Sequence, residues 1–155
     1  MKYDTEHMTK AVGLNLPIST KMSVEICNVL RGMPVAKAKQ LLEKVIQLQE
    51  PIPIRRFRRE LAHKRKIGPG RFPVVASKHL LQLLESVESN AQFKGLNTSE
   101  LMINHLCVHK AATSWHYGRQ RRRKMKRSHV EIIVKEQPKS ETKPQDAQKK
   151  KKQGK

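Results

Sequence analysis

Apolar residues recur every three to four positions through three stretches of this chain, and the period shortens in its C-terminal third. In "PISTKMSVEICNVLRG", residues 17–32, Met22, Ile26, Val29 and Leu30 fall on one side of a helix. Ser19 or Thr20 stands where a hydroxyl can accept from the unpaired N–H groups of a first turn, and Gly32 supplies a stop. "PVAKAKQLLEKVIQLQ" carries a second stripe of Ala38, Leu41, Leu42, Val45 and Ile46, with Pro34 suited to a helix start. The spacing predicts a third helix from about Val74 to Phe93, its apolar side formed by Ala76, Leu80, Leu83, Leu84, Val87 and Ala91. Single stripes of this kind are core faces.

Two later runs, "LMINHLCVHK" from Leu101 to Lys110 and "HVEIIVKE" from His129 to Glu136, are rich in β-branched and apolar residues and read as strands. Val130, Ile132 and Val134 share one face of the second run and are placed to cover the helices. Paired as a hairpin, the two strands turn Ala111–Ser128 into a projecting connection.

That connection is where charge changes the picture. Among the nine positions from Arg119 to Arg127, seven are Lys or Arg. The whole chain of 155 residues, enough for one domain with a modest core, carries 33 Lys and Arg against 13 Asp and Glu. A formal net charge of +20 opposes compaction by self-repulsion, and a polyanion is the usual compensation. The linker between the second and third helices, "PIPIRRFRRELAHKRKIGPGRFP" at 51–73, is a second basic segment; its prolines and glycines disfavour regular structure, although Arg55–Arg65 could form a short helix. A third is the tail, 137–155, rich in Lys, Gln and Pro, which has too little apolar surface to order itself alone. One basic run is often only a solvated face; three with little acid between them point to nucleic acid.

Arginine dominates in the two inner segments. Its planar fork suits phosphate oxygens and it stacks on bases, whereas Lys acts as a compact point charge. Trp115, His116 and Tyr117 precede one run and Phe57 interrupts the other, a mixture that suits RNA with its unstacked bases. Packing against the core is the plainer role for Phe57. The candidate RNA-contacting residues are Arg55, Arg56, Arg58, Arg59, His63, Lys64, Arg65, Lys66 and Arg71 in the linker. In the hairpin they are Lys110, Trp115, His116, Arg119, Arg121, Arg122, Arg123, Lys124, Lys126 and Arg127. DNA is not an expected partner.

Catalytic and membrane readings are weak. His105 and His109 are four apart, but on a strand that spacing separates them by ~13 Å, too far to share a metal. His105, Cys107 and His109 share a strand face without an adjoining carboxylate or second thiol in the run to complete a site. "GPGR" at 68–71 is a candidate tight turn able to meet a phosphate, a weak signal alone. No CxxC, HExxH or phosphate-binding loop motif occurs, so no enzyme activity, metal or cofactor is expected. No apolar run approaches the ~20 residues of a membrane span, and Met1–Lys10 lacks the apolar stretch of a signal peptide. The helices lack the Lys- and Arg-rich polar face opposite bulky apolar residues that binding to an anionic membrane favours. Cys27 and Cys107, 80 positions apart, make no disulfide framework, so a cytosolic chain with reduced thiols is expected.

Five ordered stretches resemble the universal large-subunit ribosomal protein twenty-two family in its archaeal and eukaryotic form. They are "RGMPVAKAKQLLEKVI" at 31–46, "PIPIRRF" at 51–57, "GRFPVVASKHLLQLLESVESNA" at 70–91, "KGLNTSELMINHLCVHK" at 94–110 and "SHVEIIV" at 128–134. The resemblance spans roughly residues 10–136, and the basic insertion before "GRFP" is similar to the one distinguishing this form from the shorter bacterial one, with the archaeal type favoured. It implies an α+β fold: three helices on a small, mainly antiparallel sheet with a projecting β-hairpin, and an added strand at residues 8–16. The expected organisation is an RNA-binding domain over 1–136, with loop 51–73 and hairpin 101–135, followed by the basic tail 137–155. The implied function is that of a cytoplasmic structural constituent of the large ribosomal subunit, with large-subunit ribosomal RNA and neighbouring ribosomal proteins as partners. The hairpin would line or flank the exit tunnel, making the nascent polypeptide a further partner. Family members usually carry a longer "PRAxGRA" tip, of which only Gly118–Arg119 stands in "AATSWHYGRQRRRKMKR". A free-standing RNA-binding regulator or RNA chaperone is the alternative.

Overall fold

The computed structural model describes residues 7–57 and 60–137. In order, the chain forms β1 (Met8–Leu16), α1 (Thr20–Leu30), α2 (Val35–Ile46), β2 (Ile52–Pro53), β3 (His63–Lys64), β4 (Gly68–Arg71), α3 (Val74–Phe93), β5 (Leu101–Lys110) and β6 (Ser128–Glu136). These make two antiparallel three-stranded sheets, a larger one ordered β1-β6-β5 and a small one ordered β2-β4-β3. The three helices, the projecting hairpin and the added N-terminal strand agree with the expected α+β class.

β6 is the middle strand of the larger sheet, paired from Leu101↔Glu136 to Lys110↔Ser128 on one side and from Met8↔Lys135 to Gly13↔Val130 on the other. Its Val130, Ile132 and Val134 are fully buried, with Leu101, Ile103 and Leu106 of β5 beside them. α1 lies against β5, α3 against β1, and α2 against α3. A bulge between Ile103 and His105 shifts the alternation, so the buried set on β5 steps from 103 to 106. Gly13 sits where β1 crosses α3; a Cβ there would lie 2.8 Å from Leu16 Cδ1 and 2.9 Å from Leu83 Cδ1.

The stripes on α2 and α3 face the core through Ala38, Leu42, Val45, Ala76, Leu80, Leu84, Val87 and Ala91, with Leu41 and Leu83 partly covered beside them. α1 is rotated relative to its expected stripe: Ser23, Glu25 and Cys27 are buried with Ile26 and Leu30, while Met22 is half-buried. Neither expected hydroxyl caps this helix. Ser19 occupies the capping position without a side-chain bond. Thr20 Oγ1 instead lies 2.7 Å from Ser128 Oγ, which donates to the Ile18 carbonyl at 3.1 Å. The hydroxyls serve to join the start of α1 to the base of β6, satisfying a buried Ser128 that would otherwise be unpaired.

The linker also departs from expectation. Its described residues form no helix over 55–65; β3 stands at 63–64, and "GPGR" is a strand, with the turn falling at 65–67 just before it. Like charges three and four residues apart disfavour a helix there, and pairing to β4 offers the backbone another partner. Among the described residues no helix is long and apolar enough to cross a membrane. Apart from Gln137, the tail lies outside the described residues.

The buried middle strand should dominate stability. Ile132→Ala is expected to lower the unfolding free energy by ~2–5 kcal/mol. Val75→Ala, at a position 62% exposed, should change it by less than about 0.5 kcal/mol. Urea unfolding of both variants checks this, and equal effects would contradict the assignment of β6 as the core strand.

Candidate nucleic-acid interface

The two hairpin strands end at Lys110 and Ser128, and beyond them the chain projects as an arm cross-linked at intervals. Ala111 N–H donates to the Arg127 carbonyl at 3.1 Å, Met125 N–H to Ser114 at 2.8 Å, and His116 N–H to Arg123 at 2.9 Å. Trp115 and Lys124 face each other in an isolated bridge, with Lys124 Nζ 4.6 Å from the indole ring centroid. The end is a single 3-10 turn, Gly118–Gln120, closed by Arg121 N–H onto the Gly118 carbonyl at 3.2 Å. Gly118 has φ +64°, a conformation that favours glycine. The projecting connection is therefore held by hydrogen bonds at its base, its middle and its tip.

Arg119, Arg121, Arg122 and Arg123 surround a shallow concavity of about 450 Å³ at the tip, and all are exposed, as are Lys124, Lys126, Lys110 and Trp115. His116 is half-buried. Arg127 is turned inward, donating to the Asn15 carbonyl at 3.4 Å, and so helps fasten the arm to β1.

The second basic segment is anchored by a residue that periodicity alone did not single out. Glu25 on α1 is 1% exposed, and its carboxylate accepts from three successive backbone N–H groups. Arg56 N–H reaches Oε1 at 2.7 Å, Phe57 N–H reaches the same oxygen at 3.0 Å, and Arg55 N–H reaches Oε2 at 3.2 Å. A buried carboxylate is tolerated when it is satisfied in this way. Its sequence signal was present: Glu25 stands three after Met22 and four before Val29, an acid within the apolar stripe of α1. The main chain is thus fixed while the Arg55 and Arg56 side chains remain exposed.

His63, Lys64, Arg65, Lys66 and Arg71 are exposed on the small sheet and its turn, and Arg58 and Arg59 lie outside the described residues. Phe57 departs from its expected core role. It is half-buried outside the core cluster, with Arg56 Cζ 5.4 Å and Lys21 Nζ 5.8 Å from its ring centroid. The ion pairs Lys39–Glu88 and Lys44–Glu50 involve none of these basic residues.

Strand pairing sets Glu131 opposite Cys107 and His129 opposite His109, neighbours not adjacent in sequence. Among the described residues no group of three His, Cys, Asp or Glu could hold a metal. Both cysteines are free thiols, and burial pushes the Cys27 thiol up to about 12, so it is protonated and a poor nucleophile at neutral pH. The arrangement presents exposed cations on a backbone fixed by hydrogen bonds.

The loop anchor is open to test. Glu25→Gln keeps the side-chain shape but removes the charge and exchanges one acceptor for a donor. Backbone amides of Arg55, Arg56 and Phe57 should then exchange with deuterium about tenfold faster, while those of β6 keep their parent rates. Unchanged exchange at 55–57 would show that the carboxylate does not hold the loop.

Comparison with known proteins places the chain. The profile of the family described as ribosomal protein L22p/L17e matches residues 11–135. "Large ribosomal subunit protein uL22" of Staphylothermus marinus is 44% identical, covering 86% of this chain and 92% of the relative. The protein of the same name from Ignicoccus hospitalis is 42% identical over 84% and 89% of the two chains, and that of Thermoplasma acidophilum 44% identical over 77% and 82%. With a match that runs from β1 through the arm to β6, the chain belongs to the ribosomal protein L22p/L17e family.

Proposed function

We propose that this chain is a structural constituent of the large ribosomal subunit in the cytoplasm, bound to the subunit's RNA and to neighbouring ribosomal proteins. The observation that carries the reading is the arm: a hydrogen-bonded extension of two core strands, ending in exposed arginines, in a chain of this family. Its part is not catalytic. Phosphates on adjoining RNA helices repel one another, and cations held between them lower that repulsion without reading sequence. Arg119, Arg121, Arg122, Arg123, Lys124 and Lys126 do this at the tip. Arg55, Arg56, Lys64, Arg65, Lys66 and Arg71 do it from the loop, with Arg58 and Arg59 alongside. The domain spans 1–136, and the tail 137–155 adds sequence-independent charge. The arm lies along or beside the path of the nascent polypeptide.

Rigid presentation is what makes the cations effective. A floppy basic loop loses conformational freedom when it binds, whereas an arm already tied by cross-arm hydrogen bonds loses less. The same order makes the tip separable from the fold. Replacing Arg121, Arg122 and Arg123 together with Ser should leave thermal unfolding of the purified protein unchanged or slightly raised, because repulsion is relieved. RNA affinity should fall, with its log–log salt slope reduced by about 0.7–0.9 for each phosphate no longer neutralised. Recovery of the variant in large subunits should fall with it. Assembly equal to the parent's would mean that the tip is only a solvated turn.

A further inference from the structure

Between the start of α1, the basic loop and the near side of the arm lies a cleft of about 650 Å³. This is within the roughly 300–1,000 Å³ typical of pockets for small ligands. Its cations, Lys21, Arg71, Lys110, Lys124, Lys126 and Arg127, come from four parts of the chain distant in sequence, and no acidic residue is among its described lining residues. The remaining lining is partly apolar: Phe57, Met22 and Met125. Such a concave site, lined by cations and by an aromatic ring, suits neither an RNA duplex nor an acidic peptide. A duplex is too wide to enter and offers no flat apolar face for the ring, and a peptide carboxylate would satisfy the cations but leave Phe57 unused. One unstacked nucleotide supplies both parts, a phosphate for the cations and a planar base for the ring.

We infer that this cleft holds a single unpaired nucleotide of RNA, its base against Phe57 and its phosphate among Arg71, Lys110 and Lys126. The inference rests on the RNA-binding reading above and assigns one site within it. Phe57 is suited to the role because the main chain that carries it is anchored: its N–H is held at 3.0 Å by the buried Glu25 carboxylate. Lys21 and Arg56, which lie over the ring, are exposed ends of flexible side chains. They can move off it toward phosphate when a base arrives. The cleft also explains a residue the core does not use. A half-buried phenylalanine outside the core cluster, among arginines, has a purpose if it is a stacking platform.

Binding of the full chain to two RNA hairpins tests this, one with a single bulged adenosine and one identical but without the bulge. The parent should prefer the bulged hairpin by about tenfold, as expected for one base stacked on an aromatic ring. Phe57→Leu should bring the ratio close to one, and Phe57→Tyr, which retains an aromatic face, should keep it. Arg121, Arg122 and Arg123 changed to Ser should weaken both hairpins and preserve the ratio, because the tip lies outside the cleft. If the parent binds both hairpins equally, or Phe57→Leu keeps the preference, the nucleotide cleft is wrong while RNA binding stands. Failure to bind either hairpin at low salt would overturn the RNA-binding reading and the cleft with it.

Discussion

Everything in this molecule is arranged around β6, the strand hydrogen-bonded on both sides whose Val130, Ile132 and Val134 are sealed under the helices. Its pairing with β1 closes the sheet, and its pairing with β5 extends outward as the arm. At the point where core gives way to arm, the buried Ser128 joins β6 to Ile18 and Thr20 at the start of α1. Hydrophobic burial must outweigh the self-repulsion of a chain with net charge +20. It does so because the described cations of the loop and the arm lie outside the core, on elements that the core only anchors.

Glu25 follows the same logic at a second place. With so few acids in the chain, one is buried and used on backbone N–H groups. A surface ion pair would have contributed little to stability. Bonding the backbone instead fixes the loop without using an arginine side chain as the anchor. Arg127 is used in the opposite way, turned back onto the Asn15 carbonyl to steady the arm. Cations nearer the tip face outward.

Most of the architecture was legible in the sequence. The stripes from Val74 to Phe93 and from Val35 to Ile46, and the runs at Leu101–Lys110 and His129–Glu136, carry enough apolar periodicity to declare their elements. β1 was legible only through family resemblance, since an edge strand with Gly13 and exposed Val12 and Leu14 has a weak alternation. What local pattern could not supply were partners distant in the chain. Thr20 looks like a cap until Ser128, more than a hundred residues later, is seen to claim its hydroxyl. Arg55–Arg65 permits a helix until Glu25 and β4 take up its backbone. Phe57 reads as core until Lys21, Arg71 and the arm are found around it. The arginines of the tip were plain from composition, whereas the cleft behind them needed the fold.

A fold that holds cations inside the large ribosomal subunit should keep the protein there when salt is raised. Sedimentation of a lysate from cells expressing the chain, through a sucrose gradient after a high-salt wash, tests it most directly. The protein should remain with the large subunit, because many phosphate contacts made from an anchored frame survive salt that strips loosely bound basic proteins. Finding it chiefly in the free fractions, with large subunits that lack it, would mean that its cations serve elsewhere.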